Sequence, residues 1–201
     1  MNAKRCALFC VVGIFTTAAS AGVAPTGPFT GSLFEGWNDK GGVAASFSMF
    51  GDGSSITSNG GGAALLATPS WSFFTLISAY EGGVMMGDTG GGGYTFNFAS
   101  PLSAFGAYFG TNSNLAGGTA EIYNPAGALL GSFPVQAPEG DWAWDGWATT
   151  GGDSIGSVKI IPANAFGGFV MNDAATGNPI PAPGAIALAM GGACLALRRR
   201  R

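Results

Sequence analysis

The chain concentrates its chemistry in the stretch Glu139-Gly140-Asp141-Trp142-Ala143-Trp144-Asp145-Gly146-Trp147, where three of its five tryptophans stand among three carboxylates. Flat indole rings offer an apolar face on which a sugar ring can stack, and a few placed carboxylates can accept hydrogen bonds from its hydroxyls. Trp142, Trp144 and Trp147 are therefore candidate glycan-stacking residues. The same residue types also suit a protein interior. On a strand, Trp142 and Trp144 share one face while Asp141, Ala143 and Asp145 share the other, and tryptophan is a common core residue between two sheets. Spacing alone leaves both roles open.

The carboxylates admit a second chemistry. Calcium takes six to eight oxygen ligands, and Asp141, Asp145, Asp153 and Asp173, with Asn172, supply them if the last strands converge. Glu35 and Asp39 around Trp37 form a second acidic cluster of the same kind. No Asp-x-Asp-x-Asp-Gly loop is present, and solvated loop acids are the alternative for either cluster. The chain has no histidine, which excludes Ser-His-Asp triads, Cys-His dyads and ordinary zinc or copper centres. Gly90 to Gly93 is followed by neither Lys-Ser/Thr nor a helix pattern, so it reads as a loop and not a phosphate cradle, and no organic cofactor is implied. Catalysis would have to run on carboxylates, hydroxyls or lysine, paired carboxylates being the glycoside-hydrolase case, and no residue is singled out as catalytic.

The elements that must position these residues read as strands. Period-2 alternation runs through Val43, Ala45, Phe47 and Met49, through Tyr94, Phe96 and Phe98, and through Ala120 and Ile122. Denser apolar runs cover Trp71 to Ala79, Ala104 to Phe109, Leu129 to Phe133, Val158 to Ile161 and Phe169 to Met171. Glycine-rich turns such as Gly51-Asp52-Gly53-Ser54 and Asn124-Pro125-Ala126-Gly127 separate them. Ala63 to Leu66 allows one helical turn at most. The pattern predicts an all-β domain over 22–177, an antiparallel two-sheet β-sandwich of jelly-roll or lectin-like type.

The two ends read differently. Residues 1–21 have a basic start (Lys4, Arg5), an apolar run from Ala7 to Thr17 and the small residues Ala19-Ser20-Ala21, the three zones of a secretory signal helix cut after Ala21 by signal peptidase. Residues 178–201 carry Pro181-Ala182-Pro183, an apolar run from Ala185 to Leu197 and the block Arg198, Arg199, Arg200, Arg201. Those 13 apolar residues make a hydrophobic helix only about 20 Å long, short of a ~30 Å hydrocarbon core, which suits transient inner-membrane insertion with the arginines held inside. With both ends removed, Lys40 and Lys159 face all eleven acids, a net charge of −9, and the domain keeps none of Cys6, Cys10 and Cys194. Such a surface excludes nucleic acid and anionic membranes as partners, because phosphate recognition needs clustered Lys or Arg.

The order proline motif, short apolar helix, arginine block resembles the PEP-CTERM sorting signal, with Ala182 standing where the usual motif has glutamate, as in the Pro-Ala-Pro tails of planctomycete-like bacteria. The resemblance implies an exosortase-type membrane protease as partner, cleavage near Pro181 to Pro183, and release or attachment at the outer surface, often in exopolysaccharide. The succession Tyr94-Thr95-Phe96-Asn97-Phe98, Phe105-Gly106-Ala107-Tyr108-Phe109, Glu121-Ile122-Tyr123 and Phe169-Val170-Met171-Asn172-Asp173 resembles the ectodomains that carry such tails. That likeness implies a lectin-like or carbohydrate-module-like sandwich. The sequence thus points to an exported, non-enzymatic surface or matrix protein with polysaccharide or other envelope proteins as partners. A secreted carboxylate-dependent glycoside hydrolase and a purely structural envelope component are the alternatives.

Overall fold

The computed structural model describes residues 22–60, 64–72, 76–81, 83–112, 117–163 and 170–180. The expected terminal helices, with Ala19, Ala21, Pro181, Ala182, Pro183 and Arg198 to Arg201, lie outside these residues.

The described residues form fifteen strands and no helix. In chain order they are β1 (Gly22–Pro25), β2 (Leu33–Glu35), β3 (Gly42–Ala44), β4 (Ser46–Met49), β5 (Ser54–Ser58), β6 (Leu65–Thr68), β7 (Ser70–Ser72) and β8 (Leu76–Ser78). There follow β9 (Met85–Asp88), β10 (Tyr94–Thr111), β11 (Gly118–Tyr123), β12 (Leu129–Val135), β13 (Trp142–Thr150), β14 (Ile155–Pro162) and β15 (Val170–Pro179). Thirteen of them join into one antiparallel sheet, and β7 and β8 make a separate hairpin.

Strand β10 folds that sheet into two layers. Its start, Tyr94 to Asn97, pairs with β5 on one side and β14 on the other. The register then shifts between Asn97 and Leu102, where Pro101 has no N–H to donate and the Ala99 amide is taken by the Ser54 hydroxyl at 3.0 Å. Beyond the shift, β10 pairs instead with β13 and β15. The first layer is β4-β5-β10-β14-β11-β12, and the second is β1-β13-β10-β15-β9-β6-β3 with β2 added along the far end of β15.

Period-2 alternation fills the space between the layers. Ile56, Phe96, Ile122, Val158 and Ile160 of the first layer and Phe105, Ala107, Phe109 and Trp147 of the second belong to one buried cluster. Phe96 and Phe105, on either side of the bend, bring their ring centroids to 4.8 Å. The core is all-β and antiparallel, as the sequence patterns predict.

Three local expectations change. The alternation from Val43 to Met49 breaks at Ala45, because β3 pairs with β6 in the second layer and β4 with β5 in the first, which leaves Val43 63% exposed and Met49 buried. Around Ala63 to Leu66 no helical turn is described. Strand β6 begins at Leu65, with Leu65 and Ala67 facing the core. The run Trp71 to Ala79 is no central strand, for its hairpin lies outside the sandwich, where Ile77 packs with Met85, Trp71, Ala79 and Trp142.

Candidate functional site

The tryptophan segment is β13, and strand phase decides what each ring does. Trp142, Trp144 and Gly146 point away from the core and pair with Gly110, Tyr108 and Gly106 of β10. Trp147 falls in the opposite phase, pairs with Phe105 and is 1% exposed. Its ring packs 6.2 Å from Phe109 in the interior. Trp147 is thus a core residue and not a stacking residue, whereas Trp142 and Trp144 are half-buried on the outer face.

Glycine makes room for the outward rings. A Cβ on Gly106 would run into the Trp144 indole, and one on Gly146 would lie 2.9 Å from its Nε1, so the ring rests directly on two bare backbones. The Trp144 Nε1–H donates to the Thr26 carbonyl at 3.1 Å, and Trp142 Nε1–H donates to the Ser78 carbonyl at 2.9 Å. Thr26 lies in the strap that leaves β1, crosses the outer face and reaches β2. The strap is fastened by Thr26 N–H to Gly146 O at 2.8 Å and by Gly31 N–H to the Thr176 hydroxyl at 3.0 Å.

These anchors assemble a row of rings from four separate segments. Phe29 of the strap meets Trp144 edge to face at 5.6 Å, Trp144 meets Tyr108 at 5.3 Å, Tyr108 stacks on Tyr80 at 3.9 Å, and Tyr80 reaches Trp142 at 6.5 Å. Phe29, Phe34, Tyr108 and Trp144, with Glu81 and Thr176, line a cleft of ≈ 250 Å³. Phe34 is 54% exposed and Tyr80 44%, so solvent reaches the rings. A second cleft of ≈ 380 Å³ lies across the strap, with Trp144 as a shared wall and Asp145 and Phe133 opposite.

Asp173 holds the loop that carries Tyr80 and Glu81. Its Oδ2 accepts from the amides of Tyr80 at 2.8 Å and Glu81 at 3.2 Å, and its Oδ1 accepts from Ala174 at 2.7 Å. Ala174, the next residue, has φ +49° where the β10–β15 register shifts. Asp173 is fully buried, and that desolvation pushes its carboxyl up to about 6 against the pull of its three amides, with the Glu81 charge adding to the rise.

The remaining acids do not converge. Asp141 and Asp153 flank opposite ends of β13, about 27 Å apart at strand rise. Asp145 is paired with Ala107 on one side of β10 and Asp173 with Tyr108 on the other. Asp145 accepts from the Gln136 amide at 2.7 Å, and burial pushes it up to about 6. Asn172 is buried, accepting from the Trp37 indole at 3.1 Å and donating to Met86 O at 3.3 Å. Among the described residues no group of three or more acids, histidines or cysteines is placed to hold a metal ion.

Glu35 and Asp39 also part company. Buried Glu35 accepts from the amides of Trp37 and Phe50, each at 3.0 Å, and these two residues have φ of 57° and 60°. A buried carboxylate that ties down two strained backbones has a structural task. Asp39 is exposed and pairs with Lys40 at 2.7 Å. In the Gly90 to Gly93 loop the Asp88 carboxylate accepts from the amides of Gly90 and Gly93 at 3.3 and 2.8 Å, so the loop carries its own anion.

No protein-family model matches the chain, and comparison with curated proteins finds no match. Among solved structures, the chain is similar to the CBM22-1 xylan-binding domain of Paenibacillus barcinonensis Xyn10C, at 13% identity over 78% of this chain and 99% of that one, with a TM-score of 0.46. It is also similar to a β-1,3-glucan binding CBM6 from Bacillus halodurans, at 18% identity over 56% and 87% of the two chains and a TM-score of 0.34. A third likeness is to CsCBM6-3 from Clostridium stercorarium in complex with cellobiose, at 19% identity over 58% and 86%, with a TM-score of 0.30.

Phe29, Phe34, Glu81 and Tyr108 of the cleft, and Tyr80 stacked on Tyr108 beside it, are not singled out by sequence patterns. Tyr108 alone carries a readable signal, since Phe105, Ala107 and Phe109 share the core-facing phase and leave it on the other side. The rest sit in short connections whose path across the sheet no local pattern encodes.

Proposed function

We propose that this chain is an exported, non-enzymatic polysaccharide-binding protein of the cell surface or exopolysaccharide matrix, sorted and cleaved through its C-terminal tail. The observation that carries the binding role is the solvent-reached aromatic cleft on the outer face of the second layer, with Trp144 and Tyr108 as walls and the exposed Glu81 and Thr30 as its polar groups. Rigid rings backed by glycine, beside a few hydrogen-bonding groups, are what a sugar site requires. Glu81 is the cleft's one lining carboxylate, and Asp173 behind it is buried with its oxygens engaged by backbone amides, so no paired carboxylates face a substrate there. In this proposal signal peptidase cuts after Ala21, the tail enters the inner membrane transiently, and an exosortase-type protease cuts near Pro181 to Pro183.

The test has two arms. A glycan array with residues 22–180 is expected to give binding that Trp144→Ala abolishes, without release of reducing sugar. Turnover lost on Glu81→Gln would make the protein a hydrolase. Mass spectrometry of the form exported by the native host is expected to show Gly22 as the first residue and an end between Pro181 and Pro183. An intact arginine block on the exported form would overturn the sorting reading.

A further inference from the structure

We infer that the outer-face cleft recognises the ammonium group of an amino sugar, so that the preferred polysaccharide is a cationic one rich in free amines. This deepens the polysaccharide-binding reading and rests on it.

The ring geometry is the first ground. The Phe29 and Trp144 planes meet at 88° and those of Tyr108 and Trp144 at 69°. Rings set at steep angles form walls of a box, with Phe34 as a further exposed wall. Aromatic faces carry negative quadrupole charge and attract an alkylammonium held among them.

Charge is the second, independent ground. Glu81 lines the cleft and is exposed, and no lysine or arginine lines it. Both lysines of the described domain are engaged elsewhere, Lys40 with Asp39 at 2.7 Å and Lys159 with Glu121 at 3.9 Å. The cleft therefore has one carboxylate and several ring faces with no cation to balance them. Behind Glu81 lies Asp173, its oxygens taken by the amides of Tyr80, Glu81 and Ala174, so Glu81 is the carboxylate that faces the cleft. A uronate would meet that charge as repulsion, and an N-acetylated sugar would leave it unbalanced. A protonated amine supplies the missing charge in a volume of ≈ 250 Å³, enough for one sugar unit and not for a folded chain.

The experiment compares glucosamine and N-acetylglucosamine oligomers of equal length by calorimetry at pH 6 in 0.15 M salt, using residues 22–180. The glucosamine oligomer is expected to bind at least 10-fold more tightly. A protein with so many acids attracts any polycation, so two variants separate the cleft from the general field. Glu81→Gln is expected to reduce the preference to less than about 3-fold, whereas Asp141→Asn, which removes an exposed acid outside the cleft, leaves it intact. Phe34→Ala, a truncation at an exposed site that the fold tolerates, is expected to weaken the glucosamine oligomer at least 5-fold. Equal affinity for the two oligomers, or equal loss in Glu81→Gln and Asp141→Asn, would overturn the ammonium inference while the polysaccharide reading stands. Binding of neither oligomer, with no hit on a glycan array, would overturn that reading and this inference together.

Discussion

Two tryptophans three residues apart in one strand do opposite work, because a strand turns successive side chains to opposite faces. Trp147 fills the interior against Phe109, and Trp144 lies on the outside over Gly106 and Gly146. Truncating Trp147 leaves a large cavity in a packed core, and Trp147→Ala is expected to lower unfolding free energy by about 3 to 5 kcal/mol. Trp144 is half-buried, so Trp144→Ala loses only about 1 to 2 kcal/mol of apolar burial. Urea titration of both variants, with glycan affinity measured on Trp144→Ala, checks the assignment. A Trp144→Ala variant that unfolds as readily as Trp147→Ala and still binds would place the functional face on the wrong side of β13.

A strap and a loop bring the cleft together over the strands, and their anchoring is a property of elements more than of any one side chain. The loop after β8 carries both Tyr80 and Glu81, and its two amides are held by Asp173 from the register shift of β15. Asp173→Ala removes that acceptor. An unsatisfied buried amide costs about 1 to 3 kcal/mol, but this loop can relax toward water, so the expected loss is at the lower end for stability and larger for binding. Hydrogen exchange at the Tyr80 and Glu81 amides is expected to speed up, with at least a 5-fold weaker ligand. Unchanged exchange would show that the Tyr80–Tyr108 stack alone holds the loop. The same anchoring explains what the sequence could and could not disclose. Tyr94, Phe96, Ala120 and Ile122 alternate in place, so their strands and their core faces are legible. The phase of Trp142 and Trp144 against Trp147 is legible once β13 is accepted as a strand. Phe29, Phe34 and Glu81 reach the cleft through a strap and a loop whose courses are set by the Gly31–Thr176 and Tyr80–Asp173 bonds, 145 and 93 residues apart in the chain, and periodicity carries no information over such distances. The break at Ala45 is hidden for a related reason, since the apolar spacing of the sequence runs on through a change of layer.

For the molecule as a whole, a net charge of −9 between the two ends and two carboxyls that burial pushes up give stability a definite pH dependence. Burial holds both Asp145 and Asp173 at about 6, while in the unfolded chain each titrates near 3.8. Between these values the folded protein keeps protons that the unfolded chain has released, so unfolding releases protons and the free energy of unfolding falls as pH rises. The contribution is present in full below about 4 and is lost by the time pH has passed 6. Repulsion among the acids acts in the same direction, because it grows as the carboxyls ionise. Salt separates the two causes, since exposed charges are screened over about 3 Å at 1 M and buried groups much less. Thermal melting is therefore expected to give a higher Tm at pH 4.5 than at pH 7, with a difference that shrinks but persists in 1 M NaCl. Asp173→Asn and Asp145→Asn should each remove part of the persistent difference. A Tm that rises from pH 4.5 to 7 would mean that the three amides around Asp173 outweigh its desolvation and hold it ionised, and the wall behind Glu81 would then be more negative than burial alone implies.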